Sequence, residues 1–574
     1  MAGIDRRTRT LFFTTSPRSP MKMVPEIKLL SEEFARFAGK RWTRNSKLQA
    51  EFMNTLCVQD FFMSSQPPKD PAFSARDRIT RAPKALGFVN LEPAIELTPA
   101  GRELVYGEMP SEALLRQLMK FQLPSPYHPL AKGSDQNFCV KPYLEILRLV
   151  RYFGSVTFDE LMLFGMQLTD YHKFEEIVDK INAFRERKAL NKGRYRKFIA
   201  AEKEQVVRGI YALEISSGDI STREAQHKNI SKFVNTKVSN LRDYTDACFR
   251  YLRATEVVSI SQSGHSLSIA QDRKTEVDHL LTTLSREPQF IDNTSAYKAY
   301  LFDAETPKLL TDDPVKLTAK IHAMDPSINT AGLRIIELKS IEHRLRKKAK
   351  EAALNKKIAQ IKDRKQYDDI QATFDGITNS KYYDNPLMFE WNTWRAMTMI
   401  DGGNIIPNFN LDDNGDPLST AAGNMPDILC DYGDFSVLVE VTLQSGQRQY
   451  NNEGEPVARH LGKVKLKTKR EAFCLFVAPT INQATISFFY SLHHINIDFY
   501  GGKSVIIPIE LSVYQKMLED SYKASYVPDS SQIRALFEKS KEIATHTSSE
   551  NEWYSQIRDY ALNWLGKSED SLQV

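Results

Sequence analysis

The chain has little of what marks secreted, membrane-bound or metal-stapled proteins. Its 574 residues hold five cysteines, Cys57, Cys139, Cys248, Cys430 and Cys474, widely separated and odd in number. None forms a Cys-x-x-Cys pair. That argues against a disulfide framework and a structural zinc site, and for a reducing cytoplasm. No apolar run approaches the length of a membrane span. The basic N-terminus is followed only by Leu11-Phe12-Phe13, too short for a signal-peptide core. Solenoid repeats and low-complexity tracts are missing too. A large excess of one charge is also lacking: the net charge is +5, which permits a nucleic-acid partner without requiring one.

What is present is ordinary globular composition, 41% hydrophobic and 26% charged, in a chain long enough for about three or four domains. Residues 25–108 show a helix, helix, strand, turn, strand, helix order. Helical patterns cover Glu26–Phe37 and Asn45–Leu56. Leu86-Gly87-Phe88-Val89 and Ile95-Glu96-Leu97-Thr98 read as short strands, and Thr98-Pro99 reads as the cap and first position of a helix. This is the order of a winged-helix DNA-binding module, and equally of a generic small α+β domain. A similar unit is expected within 140–285. There Pro142–Tyr152 is helical, Val156–Leu161 restarts a helix with Thr157 as cap, and Val257–Ile260 and Ser266–Ile269 form two strands around Gly264. Between about 290 and 385 apolar residues such as Leu338, Ile341 and Leu345 recur at helical spacing among many lysines and arginines. That run is either a solvated helix face or a surface facing phosphates. From 386 onward, strands at 428–432, 435–442 and 473–478 alternate with helices, as in an α/β domain.

The stretch from Asn424 to Thr442 carries the strongest chemical signal. Two apolar-rich runs flank Gly433-Asp434, a two-residue hairpin loop with glycine first. With Tyr432 paired to Phe435, counting outward sets Asp427 opposite Glu440. Carbons Cβ at such a pair lie about 4.5–5.5 Å apart. Two carboxylates there repel each other, and a hard divalent cation between them resolves the conflict. A metal-dependent phosphodiesterase needs such a pair; a surface hairpin with scattered acids is the plainer alternative.

Pro426-Asp427 followed by Glu440-Val441-Thr442 resembles the PD-(D/E)XK nuclease motif. The motif lysine is replaced by Thr442, with Gln444, His460 and Lys463 as substitutes to consider. The blocks Met388–Trp394, Ala421–Asp427, Glu455–His460, Thr14–Pro20 and Ala72–Arg78 resemble those of the AlwI-like type IIS restriction enzymes, a group that includes PleI, MlyI and the large subunits of related nicking endonucleases. The resemblance implies catalytic roles for Glu390, Asp427, Glu440, Glu455 and His460, with Asp427, Glu440 and Glu455 holding Mg²⁺. Pro456 reads as the start of a helix carrying His460; taken alone, His460 fits a packing or surface histidine as well. Arg76, Arg78, Arg81 and Lys84 cluster before the first expected wing and suit guanine or phosphate contacts as well as a solvated helix face. Arg18 joins them through the resemblance.

The expected fold is multidomain, α+β and α/β. Tandem winged-helix-like DNA-recognition domains span 1–110 and 111–288, a basic helical linker spans 289–385, and a PD-(D/E)XK-like nuclease domain with a central mixed sheet spans 386–574. The implied protein is a bacterial cytoplasmic enzyme cutting double-stranded DNA outside a short asymmetric site. For double-strand cleavage it would act as a homodimer or with a small second nuclease subunit. The rivals are a DNA-binding specificity subunit or regulator with a degenerate nuclease fold, and a nuclease of RNA or single strands.

Overall fold

The computed structural model describes residues 4–566 except 6, 18–19, 34–35, 60, 63–67, 133–136, 193–194, 222–228, 261–265, 363, 365, 383, 401–402, 412–416, 422–424 and 525–527. The described chain divides into two compact units, the first ending at Leu345 and the second running from Arg346. Among the described residues no helix is long and apolar enough to cross a membrane.

The first unit is mainly helical with two small sheets. Helices Ser46–Cys57 and Pro71–Thr80 lead into a hairpin of Val89–Asn90 and Glu96–Leu97, then helix Pro99–Tyr106. Asn45 caps the first of these helices through its side chain, and Thr98 caps the last by accepting from Gly101 N–H at 3.0 Å. Gly101 has no alternative: a Cβ there would lie 2.0 Å from the Phe88 carbonyl oxygen.

The second module starts with helix Pro142–Phe153. Val156, expected in a helix, belongs instead to a strand, Ser155–Thr157. That strand pairs antiparallel with Ser266–Ile269, which pairs in turn with Val258–Ile260. Helix Phe158–Leu163 begins only after Thr157, which forms a capping box with Glu160. Gly264, the expected wing turn, lies outside the described residues.

Helix Ile335–Lys362 is continuous across the division of the chain. In its first half Leu338, Ile341 and Leu345 pack with Leu317 and Ile321. Ile361, Ile370, Phe374 and Ile377, expected in the linker, belong instead to the core of the second unit.

That core surrounds a five-stranded mixed sheet. Helix α1 (Asn385–Ile400) is buried throughout from Leu387, polar Glu390, Asn392 and Arg395 included. Then follow β1 (Asn404–Pro407), β2 (Ile428–Asp431) and β3 (Phe435–Val441), an antiparallel meander. Helix α2 (Gln447–Thr468) carries the chain across to β4 (Glu471–Ala478), which lies parallel to β3, and β5 (Ile506–Glu510) adds parallel to β4. The parallel steps need these long helical connections, whereas β2 and β3 need only two loop residues. The sheet order is β5-β4-β3-β2-β1.

Candidate active site

The β2–β3 hairpin sets the site. Its pairs run from Asp431 opposite Ser436 to Ile428 opposite Val439. Tyr432 N–H donates to the Phe435 carbonyl at 3.1 Å, and Gly433 takes φ +91°. The loop is therefore Gly433-Asp434, as its composition predicts. Carried one residue further, the register sets Asp427 opposite Glu440. Val441 N–H donates to Asp427 Oδ2 at 2.8 Å, and Glu440 accepts from the Asp427 N–H. Asp427 is thus anchored by the backbone just beyond Glu440, and Glu440 by the backbone of Asp427.

Two more acids join them. Glu390, buried on α1, accepts from Ala421 N–H at 2.9 Å. Glu453, on α2, accepts from Thr442 Oγ1 at 2.8 Å and Gln444 Nε2 at 3.2 Å. Burial raises the pKa of Glu390, Asp427 and Glu440 well above the carboxylate range, and neighbouring carboxylates push them further. Asp427 acts on Glu390, Glu440 on Asp427, and Glu453 on Glu440. No Lys or Arg is among the charged groups acting on these three. Glu453 is raised too, chiefly by burial.

His460 completes the cluster. Its Nδ1 lies 2.7 Å from Glu440 Oε1, and its Nε2 is buried with no hydrogen-bond partner. Burial, then Arg459 and Lys463, lower its pKa to about 4, so the ring is neutral near pH 7.

Glu455 is not brought into this cluster. It is exposed and accepts from Arg459 Nε at 3.1 Å, one turn along. The physical reason is helix phase. Helix α2 begins at Gln447, not at Pro456, and runs through that proline. Residues seven apart share a helix face, so Glu453 lies in line with His460, while Glu455 points about 200° away from Glu453. Glu453 is the residue that sequence reasoning missed. Thr442, at the motif-lysine position, orients Glu453; Lys463 is exposed one turn beyond His460. Among the described residues no group of three or more His, Cys, Asp or Glu side chains is placed to hold a metal ion by itself.

The recognition-half cations are held within the fold. Arg78 pairs with buried Glu26 at 2.7 Å. Arg76 Nη1 donates to Gln49 Oε1 at 2.9 Å, and Arg81 meets Asp77 at 2.5 Å and Thr15 at 2.8 Å. Lys84 sits 5.1 Å from the Tyr127 ring centroid, and burial lowers its pKa. Arg18 lies outside the described residues.

No curated protein matches the chain significantly. Among solved structures, the small subunit of the heterodimeric restriction endonuclease R.BspD6I is 28% identical, covering 34% of this chain and 95% of that one, with a TM-score of 0.27. The BpuJ1 endonuclease binding domain, solved with pyrene- and phenanthrene-modified DNA, is 11% identical, covering 52% and 96% with a TM-score of 0.32. The AlwI restriction endonuclease family model matches residues 84–517, most of the chain and all of the acidic site, and the chain belongs to that family of DNA endonucleases.

Proposed function

We propose that the protein is a Mg²⁺-dependent endonuclease that binds a short asymmetric site in double-stranded DNA and cuts at a fixed distance outside it, as a type IIS or strand-nicking enzyme. The observation that carries this reading is the set of four carboxylates, Glu390, Asp427, Glu440 and Glu453, gathered beside neutral His460, with no Lys or Arg acting on Glu390, Asp427 or Glu440. Such a set is unfavourable in a protein with no cation to bind, and its hard oxygen donors suit Mg²⁺. Asp427 and Glu440 would hold the ion, since Mg²⁺ usually takes one or two carboxylates and fills its shell with water and substrate phosphate oxygens. When bound, the ion would lower the pKa of a water and stabilise charge on the scissile phosphate.

The chain's own groups have separable tasks. With Glu440 ionised, His460 Nδ1–H donates to it, which leaves Nε2 as an acceptor able to take a proton from a water. Thr442 cannot replace a lysine's charge, and its hydroxyl fixes the Glu453 carboxylate instead. The helix–hairpin–helix order in the first unit supports winged-helix-like recognition modules. The hairpin carrying Pro426-Asp427 and Glu440 supports a PD-(D/E)XK-like nuclease.

Among the described residues one chain carries one such site, so a double-strand break requires a second copy or a small second subunit. Incubating supercoiled plasmid with the purified chain, in Mg²⁺ or in EDTA over a range of enzyme concentrations, tests the reading. Mg²⁺-dependent open circles identify a nicking enzyme, and discrete linear fragments identify paired sites. No cleavage with any divalent metal would overturn the proposal in favour of a binding subunit.

A further inference from the structure

The charge of the molecule is concentrated in one place that the nuclease site does not use. Residues 343–362, most of helix Ile335–Lys362, hold eight Lys/Arg and one Glu. That excess of seven exceeds the net charge of +5 for the whole chain, so the remaining residues are slightly acidic. Arg344, Lys347, Lys348, Lys356 and Lys362 are exposed, and none has an ion-pair partner among the described residues.

On several other helices cations are paired. Lys516 reaches Glu519 at 3.1 Å and Asp520 at 2.6 Å, Lys539 reaches Glu542 at 2.8 Å, and Lys180 reaches Glu176 at 2.7 Å. Even within this helix and its surroundings the pattern changes along the chain. Before His343, Lys339 is paired with Glu112 at 3.0 Å and Asp312 at 2.5 Å, and Glu342 with Lys320 at 2.5 Å. Beyond it, among the described residues, Arg344, Lys347, Lys348, Lys356 and Lys362 have no ion-pair partner.

Their placement is regular. Arg344, Lys348 and Lys362 fall on one helical line, with Lys347 beside it. Arg344 and Lys362 are five turns apart, about 27 Å of helix. Duplex DNA carries roughly one phosphate charge per 1.7 Å of axis, so a cationic line of this length can face several phosphates.

We propose that the exposed side chains Arg344, Lys347, Lys348 and Lys362 form a sequence-independent docking surface for the phosphate backbone of duplex DNA, borne on the helix that links the first unit to the nuclease unit. The inference rests on the DNA-cleavage reading and goes beyond it. It gives the linking helix a direct hold on the substrate, separate from base recognition and from the acidic site. Phosphate contacts position a protein without specifying sequence. The helix therefore contributes affinity and salt dependence but no site preference.

The test is the salt dependence of binding to a random-sequence duplex in EDTA, where no cutting occurs. Removing one cation that neutralises a phosphate lowers the slope of log Kd against log salt by about 0.9. The variant Arg344→Gln/Lys347→Gln/Lys348→Gln is expected to lower the slope by about 2 to 3. The charge-keeping Arg344→Lys/Lys347→Arg/Lys348→Arg should retain it, and the sequence flanking plasmid cleavage products should not change. An unchanged slope in the neutralised variant would overturn the inference while leaving the endonuclease reading intact. So would an equal drop in Lys516→Gln/Lys523→Gln, because net charge alone would then explain the effect. A wild-type chain with no salt-dependent duplex binding would remove the docking surface and the DNA reading together.

Discussion

Buried acids are treated in opposite ways by the two units. In the first, most meet a cation: Glu145 with Arg286 at 2.6 Å, Glu160 with Arg185 at 2.8 Å, Glu202 with Arg187 at 2.8 Å and Glu26 with Arg78 at 2.7 Å. In the second, Glu390, Asp427, Glu440 and Glu453 meet one another. Paired acids fix a fold, because removing a partner strands a buried charge. Clustered acids work against a fold, and they are kept where chemistry needs them. The contrast separates the charges that hold the molecule together from those that do its chemistry.

The largest effect should come from neutralising the second group. Glu440→Gln or Asp427→Asn is expected to lower plasmid cleavage by roughly a hundredfold or more. The metal-free melting temperature should stay level or rise, because repulsion is removed. Cleavage assays beside thermal unfolding check both halves. A melting temperature several degrees lower would show that these acids are structural, and the contrast between the units would fail.

Next in size is a break in the first group. Arg78→Ala leaves Glu26 buried and alone. Glu26 is already raised above the usual carboxylate range, because its burial outweighs the help from Arg78. Losing the partner should cost on the order of 3 kcal/mol in urea unfolding. Adding Glu26→Gln should recover much of that loss. Full stability with weakened DNA binding would instead make Arg78 a DNA contact.

The third effect is a pH dependence, and its sign follows from the raised acids. Glu390, Asp427 and Glu440 hold protons in the folded, metal-free chain at pH values where the unfolded chain has released them. Their contribution to stability is therefore present at low pH and is lost as pH rises from the ordinary carboxylate range through their raised values. Mg²⁺ binds the ionised groups, so its stabilisation should grow over the same window. Melting with and without Mg²⁺ should show a larger gain near pH 8 than near pH 5, at roughly 2–4 °C per kcal/mol for a unit of this size. Glu440→Gln should shrink that gain; a gain independent of pH would point to a site elsewhere.

Much of this was legible in local pattern, and the misses share a cause. The opposition of Asp427 and Glu440 follows from Gly433-Asp434 alone, since a two-residue loop leaves one register. Thr98 and Asn45 announce their helices by side-chain capping, a local signal. Glu453 was hidden by Pro456, which reads as a helix start yet sits well inside α2, where tertiary packing overrides propensity. The seven-residue spacing of Glu453 and His460 held the phase, had the helix been started at Gln447. Strand Ser155–Thr157 is too short to show alternation. Arg78 could not be assigned from sequence, because its partner Glu26 lies 52 residues away and only the tertiary fold brings them together.

The smallest effects test which face of α2 belongs to the site. Thr442→Val keeps the shape and removes the hydroxyl that orients Glu453, so cleavage should fall by about tenfold, the lower end for partners that orient metal-binding groups. Glu455→Gln removes only an exposed pair with Arg459, of a kind that contributes ~0.5 kcal/mol, and should change cleavage by no more than about threefold by that measure. Glu455 does tend to raise the pKa of His460, so its loss should shift the acid limb of the pH–rate profile slightly downward. Equal losses at the two positions would mean that α2 turns its other face to the DNA, and Glu455 would regain the role that sequence alone assigns it.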